Sequence, residues 1–307
     1  EKQEILNIAQ RGLDAGCYEV LFFLSTKPEQ WSEKSKAELK RLGYKSTLDY
    51  LIAMAKYIYE ITGMLPKLHS GVLNRNELSH LRSVSLAQGL MLDSRAEYLC
   101  EESSNSYGAT NQNLYVRLGV AAAAGAVNIP FTSGIVIGLG ESRRERIDAL
   151  LGLRHLNETF GHLQEIVIQN YRHEVDIKGN RISKSMLQEL LWTIAVSRII
   201  FGPDANIQAP ADLPMPALSL ILNAGINDWG SVIPTPIGLT GKGAPWLQLE
   251  VISEVTKKQG KQLHTRLPLY PSYVKTKKEW LDEGFHKTVS SLTNSQGFPL
   301  SEFNQKS

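Results

Sequence analysis

The chain has 307 residues, 42% of them apolar and 21% charged, with a formal charge of +2. That is enough apolar material for a sizeable core, which excludes an intrinsically disordered chain. Lys and Arg are spread along the sequence, so no basic patch points to nucleic acid as a partner. No run of about 18 apolar residues occurs, so no membrane span is expected, and the first residues carry no apolar signal segment. The sequence opens at Glu1 without an initiator Met, the pattern of a processed form or a fragment. Cys17 and Cys100 are the only cysteines. They make no disulfide framework, which fits a reducing compartment, the cytoplasm or an organelle interior. Neither has a second Cys or His at ligand spacing, so the chain builds no metal site of its own.

In chain order, residues 1–15 read as a helix, with Ile5, Leu6, Ala9 and Leu13 along one face. Val20–Leu24 reads as a buried strand. Leu51–Ile61 is helical, Met64–Leu68 a short strand leading to "HSG", Asn74–Arg82 helical, and Val84–Leu92 strand-like. Leu114–Ala126 is an alanine-rich helix. "NIPFTSGIVIGLGES" is a strand with a glycine-rich exit, and the next helix opens at "ESRRERIDALLGLRHL" with i, i+4 charge pairs. "HLQEIVIQNYR" is a strand, Ser183–Ile200 an amphipathic helix, "ANIQAP" a strand, Ala217–Leu222 helical and "AGINDWGS" a strand. A helix near Trp246–Lys258 precedes the tail. No composition break appears, so residues 1–307 read as one domain, with 245–307 as a C-terminal extension. Regular βα repetition gives a doubly wound sheet or a closed barrel. Polar residues gather at strand exits, which favours the barrel, whose functional residues sit there.

Three exits carry candidate chemistry. "SGIVIGLGES" ends in Gly138, Gly140 and Glu141, where backbone can approach a ligand. It is neither a Walker loop nor a dinucleotide fingerprint. A tight βα turn with Glu141 in the first helical turn explains it equally well. "IVIQNYR" offers Gln169 and Asn170, whose amides can read a planar heterocycle, and Arg172, which can hold an anion. The same residues can instead tie loops together. "AGINDWG" sets Asn227, Asp228 and Trp229 either in a capped turn or in the wall of an aromatic pocket. The histidines at 69, 80, 155, 162, 173, 264 and 286 never pair at ligand spacing.

Taken in order, "GCYEVLFFLSTKPEQ", "HLRSVSLAQGLMLDS", "VNIPFTSGIVIGLGESRRERIDALL", "LQEIVIQNYR", "ANIQAPADL", "NAGINDWGSVIPTP" and "APWLQLE" resemble one family. It is the first subunit of FO synthase, the CofG-type radical S-adenosylmethionine family of deazaflavin biosynthesis, and the likeness runs from about residue 2 to 275. The combination of "QNYR", "NIQAP" and "AGINDWG" is more specific than any one of them. The resemblance implies an α/β fold, a TIM-like (β/α) barrel of the radical S-adenosylmethionine type. It implies S-adenosylmethionine and a four-iron, four-sulfur cluster as cofactors. The implied small-molecule substrate is the tyrosine–ribityldiaminouracil adduct made by a CofH-type partner subunit, closed here to the deazaflavin FO.

In that family a first strand leads to a C-x-x-x-C-x-x-C loop that holds the cluster. Neither is present in these residues, and Cys17 lies in the wrong place to substitute. The expectation is therefore an incomplete barrel, or one whose gap another segment or chain covers, because open sheet edges are a liability. By position, Glu29 of "STKPE" and Gly134, Val136, Gly138 and Glu141 of "GIVIGLGE" fall in the S-adenosylmethionine pocket. Gln169, Asn170, Arg172, Gln208, Asn227, Asp228 and Trp229 fall in the substrate site. No catalytic residue is assigned. Departures from the family pattern cluster in the first half: Ser25 and Thr26, "LPKLHSG", Ser85, Asp93 and Gln112. Two functions follow as expectations. One is a CofG-type enzyme lacking its cluster segment here; the other is a cluster-less pseudoenzyme serving as a binding or structural subunit.

Overall fold

The computed structural model describes residues 1–92, 113–171, 182–230, 232–233, 244–245, 248–276 and 278–300. Arg172, Cys100, Asp93, Gln112, His173 and Trp246 lie outside the described residues. Seven strands form a parallel sheet in chain order, β1 to β7, with helices in the connections. The residues divide into two compact units: Glu1–Leu90, Val120–Phe131 and the chain from His264 on make the first, and the described parts of Met91–Gly119 and Thr132–Leu263 the second.

The first unit begins with helix α1 (Lys2–Asp14), whose Ala9, Ile5 and Leu6 pack on Ile58 and Met64. Strand β1 (Glu19–Phe23) pairs in parallel with β2 (Leu65–His69), Val20 opposite Pro66 and Phe23 opposite His69. The apolar run read as a buried strand, yet Leu21 and Phe23 are 42% and 50% exposed. The reason is place in the sheet: β1 stands at one end of the strand order, and only Val20 and Phe22 reach the cluster built on α1. Helix α2 (Glu33–Arg41) escaped the periodicity because Leu39 is its only buried residue; its signal was the cap, Ser32, which accepts from Ser35 N. Helix α3 (Thr47–Thr62) is capped by Ser46 and stopped by Gly63 at φ 71°. Helix α4 (Arg75–Arg82) carries a reciprocal Asn74–Glu77 capping box.

The run 84–92 contributes only a three-residue strand, β3 (Ala87–Gly89). The tail from His264 supplies core: Leu267, Leu269, Tyr270, Tyr273, Trp280, Phe285 and Val289 pack with Leu65 and Leu86. Full burial of a side chain the size of Phe285 stabilises by about 1.5–3 kcal/mol, so this segment is an integral part of the first unit. Helix α5 (Leu114–Gly125) precedes β4.

From Thr132 on, in the second unit, β4 (Phe131–Ile137), helix α6 (Arg143–Phe160), β5 (Leu163–Asn170), α7 (Lys184–Phe201), β6 (Ile207–Ala209), α8 (Met215–Ala224) and β7 (Asp228–Trp229) alternate. Short strands β8 (Val232–Ile233) and β9 (Ala244–Pro245) pair with each other, and helix α9 (Gln248–Lys258) follows. Helices α10 (Pro271–Thr276) and α11 (Glu283–Leu292) belong to the first unit. No described helix is long and apolar enough to cross a membrane.

Candidate functional site

Strand alternation sorts the residues of the second unit onto two faces. Ile135, Ile137, Ile166, Ile168, Ile207 and Ala209 are at most 2% exposed and form the face closed by helices. Val136, Val167, Gln169, Gln208 and Asp228 alternate with them and remain partly exposed. The register agrees: Val167 stands opposite Gln208, and Gln208 opposite Asp228. This open face offers two valines for a flat ring and a row of polar groups beside them.

The polar row is continuous across four strands. Thr132 Oγ1 donates to Glu165 Oε1 at 2.6 Å, and Gln208 Nε2 donates to Glu165 Oε2 at 3.0 Å and to Asp228 Oδ1 at 2.8 Å. Glu165 and Thr132 were missed in the sequence. Glu165 had a signal: a charged residue inside the apolar run "LQEIVIQN", in step with Val167 and Gln169.

The residues expected to act together fall into three groups. Gln169, Gln208, Asp228 and Val136 share the open face. Asn170 and Trp229 follow the opposite alternation: Asn170 is 3% exposed, and Trp229 Nε1 donates to Thr256 Oγ1 of α9 at 3.2 Å. Neighbours in a strand point to opposite sides, so Gln169 and Asn170 cannot both line one face, nor can Asp228 and Trp229. Asn227 precedes β7 instead of following a strand. Its Oδ1 accepts from Ile207 N at 2.8 Å and from Arg198 Nη2 at 3.1 Å, and its Nδ2 donates to Asn206 at 3.0 Å. Its amide ties the start of β6 to α7. Arg198 itself donates to the carbonyls of Gly202, Ala205 and Gly225, and burial pulls its pKa down.

The glycine-rich exit of β4 is shaped from within. A Cβ on Gly134 would lie 1.9 Å from Val167 O, so the glycine lets β4 and β5 approach. At Gly138 φ is +91°, and a Cβ would lie 2.4 Å from Met186 Cε. Glu141 is not in the helix: α6 starts at Arg143, because Ser142 and Glu145 take the N-terminus as a capping box. The Glu141 carboxylate turns back to accept from Gly138 N at 2.8 Å and Leu139 N at 2.7 Å, and it pairs with buried Arg146 at 2.8 Å. The N–H groups that would favour an anion there are filled by the chain's own carboxylate. Arg146 continues to Glu189 at 2.7 Å, which also holds Arg143. Those two guanidiniums, Arg143 first, keep the Glu189 carboxyl below its ordinary range against a smaller burial effect.

Glu29 belongs to the first unit, and its loop is committed internally. Glu29 accepts from Thr47 N at 3.2 Å and Thr47 Oγ1 at 2.5 Å, Lys27 pairs with Glu77 at 2.7 Å, and Thr26 Oγ1 accepts from Val72 N at 2.9 Å. Burial would raise the Glu29 pKa, but the Thr47 hydrogen bonds outweigh it and hold it low.

Among the described residues no three His, Cys, Asp or Glu side chains come together as a metal site. Cys17 is half-buried, and burial, with Glu19 nearby, pushes its thiol up to about 11. These residues do not fit an iron–sulfur cluster. The open face, with Val136 and Val167, does fit the planar part of a nucleoside or a heterocycle.

Comparison with known proteins agrees with this architecture. The HydG maturase of [FeFe]-hydrogenase from Carboxydothermus hydrogenoformans matches 85% of this chain and 59% of its own, with a TM-score of 0.60 at 16% identity. Methylornithine synthase (PylB) matches 85% and 72%, with a TM-score of 0.57 at 16% identity. The likeness shows the fold, a partial TIM-like (β/α) barrel of the type these two structures share. In sequence, FO synthase from Mycobacterium leprae is 39% identical over 296 residues, 96% of this chain and 34% of that protein. The 7,8-didemethyl-8-hydroxy-5-deazariboflavin synthase of Methanopyrus kandleri is 35% identical over 296 residues, 96% of this chain and 88% of that protein. The chain belongs to the FO synthase (7,8-didemethyl-8-hydroxy-5-deazariboflavin synthase) family. It spans about a third of the length of the FO synthases it matches from Mycobacterium leprae and Nocardia farcinica. No family profile matches it.

Proposed function

We propose that this chain acts in deazaflavin formation as a CofG-type radical S-adenosylmethionine protein, with the open face of β4–β7 as its binding surface. The observation that supports this most is the alternation itself. Partly exposed Val136, Val167, Gln169 and Gln208 converge on one face while their strand neighbours are buried, and Asp228 joins that face opposite Gln208. Val136 and Val167, beside the tight Gly134 approach, suit the flat adenine of S-adenosylmethionine. Gln169, Gln208 and Asp228 suit the uracil and ribityl groups of the tyrosine–ribityldiaminouracil adduct supplied by a CofH-type partner. In this reading S-adenosylmethionine would supply the radical on accepting one electron from a donor outside the described residues, and the chain's own part is to bind and orient. No step is assigned to an iron–sulfur cluster, since the residues present do not fit one.

A second reading, a cluster-less binding subunit, is favoured by the Thr26–Glu29 loop. Its family counterpart contacts the methionine amino group, whereas here Thr26, Lys27 and Glu29 are spent on Val72, Glu77 and Thr47. The experiment is an anaerobic assay of the native gene product with the adduct and S-adenosylmethionine, reading deazaflavin and 5′-deoxyadenosine. Formation of both supports the enzyme. Saturable adduct binding without either product supports the second reading, and no binding and no product contradicts both.

A further inference from the structure

The carboxamide of Gln208 is held from both sides on its nitrogen. Its Nε2 donates one hydrogen to Glu165 Oε2 on β5 and the other to Asp228 Oδ1 on β7. Glu165 is itself fixed, 1% exposed and accepting from Thr132 on its other oxygen. This arrangement also settles which end of the amide is which, because an oxygen cannot sit between two carboxylates. Gln208 Oε1 therefore points away from both acids, and it has no hydrogen-bond partner among the described residues. Gln208 is partly exposed on the open face, level with Val167. The group is an acceptor held in place before any ligand arrives, so ordering it costs little on binding.

We infer that Gln208 is a specificity-determining residue that accepts a hydrogen bond from a neutral donor of the ligand, with Glu165 and Asp228 as the positioning residues that aim it. This rests on the reading above that the open face binds the ribityl-pyrimidine substrate. The chemical class follows from the group presented. Both amide hydrogens are taken by Glu165 and Asp228, so what faces a ligand is a carbonyl oxygen, which takes an N–H or O–H and repels the oxygens of a phosphate or carboxylate. An imide or ring N–H and a polyol hydroxyl both qualify; an anionic group does not. The family resemblance implies that Gln208 lies in the substrate site; its direction and the role of Glu165 follow from the hydrogen bonds.

The test is calorimetric titration of the chain with 5-amino-6-(D-ribitylamino)uracil between pH 5 and 8, each variant compared with wild type at the same pH. Gln208→Glu keeps the shape but sets a third carboxylate between two others, which raises its pKa. Its affinity is expected to fall about tenfold at pH 8, the scale of one hydrogen bond replaced by repulsion. That loss should shrink as the pH drops and the new carboxyl takes up a proton, restoring a donor toward the flanking acids. Gln208→Met removes the amide with similar bulk and is expected to lose a similar factor at every pH. It carries the test if Gln208→Glu does not fold. Glu165→Gln, which keeps an acceptor, is expected to cost about twofold or less, and Glu165→Leu clearly more. Wild-type affinity in both Gln208 variants, or a Gln208→Glu loss independent of pH, overturns the inference while the binding reading stands. If the wild-type chain does not bind the pyrimidine at all, the reading and the inference fall together.

Discussion

At Glu141 one carboxylate takes the N–H groups of Gly138 and Leu139 and pairs with Arg146, its side chain fully buried and that of Arg146 6% exposed. The turn therefore has an internal anion, and what it can still present to a ligand is backbone carbonyl and an open glycine surface. Removing Glu141 leaves the Gly138 and Leu139 N–H groups without their acceptor and Arg146 with Glu189 alone, a cost below the roughly 3–5 kcal/mol of an isolated buried pair. Glu141→Ala should accordingly lower the melting temperature by several degrees, and Glu141→Gln by less, as read by circular dichroism. Equal melting of Glu141→Ala and wild type would show that the turn does not depend on this carboxylate. Cys17 gives a second test at this scale. With its thiol pushed up to about 11, it stays protonated at neutral pH. Iodoacetamide at pH 7.5 should modify it far more slowly than free cysteine, by mass spectrometry of the Cys17 peptide.

The elements were legible wherever burial imposed a period. Helices α1, α3, α6 and α7 and strands β2, β4 and β5 lie within a few residues of their sequence bounds, because their apolar faces pack on a core. Helix α2 has one buried residue and so no stripe to read. The exposure of β1 was hidden for a different reason: an apolar run says that a strand prefers burial, not that both its faces obtain it. The faces of the site were legible only in part. Alternation alone separates Gln169 from Asn170, yet the short segment "INDWG" gave no means of telling a strand entry from an exit, and Asn227 turned out to serve the scaffold. Arg198 shows what holds that end together. It donates to four backbone carbonyls, of Gly202, Pro203, Ala205 and Gly225, and to Asn227, each bond worth about 0.5–1.5 kcal/mol. Arg198→Lys, a point charge on a flexible stem, cannot span these acceptors. It should destabilise nearly as much as Arg198→Ala in urea titration, and full rescue by Lys would contradict the geometry.

For the molecule, the charge network on α6 and α7 sets a pH limit. Glu189 has its carboxyl held below the ordinary 4.5 by Arg143 and Arg146, and Glu29 is held low by Thr47. A depressed carboxyl adds stability above its unfolded pKa and loses it as the pH falls through the folded value. Stability should be flat from pH 7 down to about 5 and then decline, with Glu189→Gln lessening the acid-side slope; unchanged slopes would remove this network from the account. The family and the fold were legible because the motifs occur in order along nearly the whole chain, and the comparisons bear both out. The direction of individual side chains was not, since it depends on register between strands far apart in sequence.

Binding of the deazaflavin system by the open face of β4–β7 is checked by a fluorescence titration of the 307-residue chain with FO, comparing wild type, Val136→Arg and Leu151→Arg. Val136 lies on the open face, whereas Leu151 is 43% exposed on helix α6. Saturable binding that Val136→Arg weakens at least tenfold and Leu151→Arg leaves unchanged is the predicted result. Binding that ignores Val136→Arg, or no binding by the wild type, would contradict binding at this face.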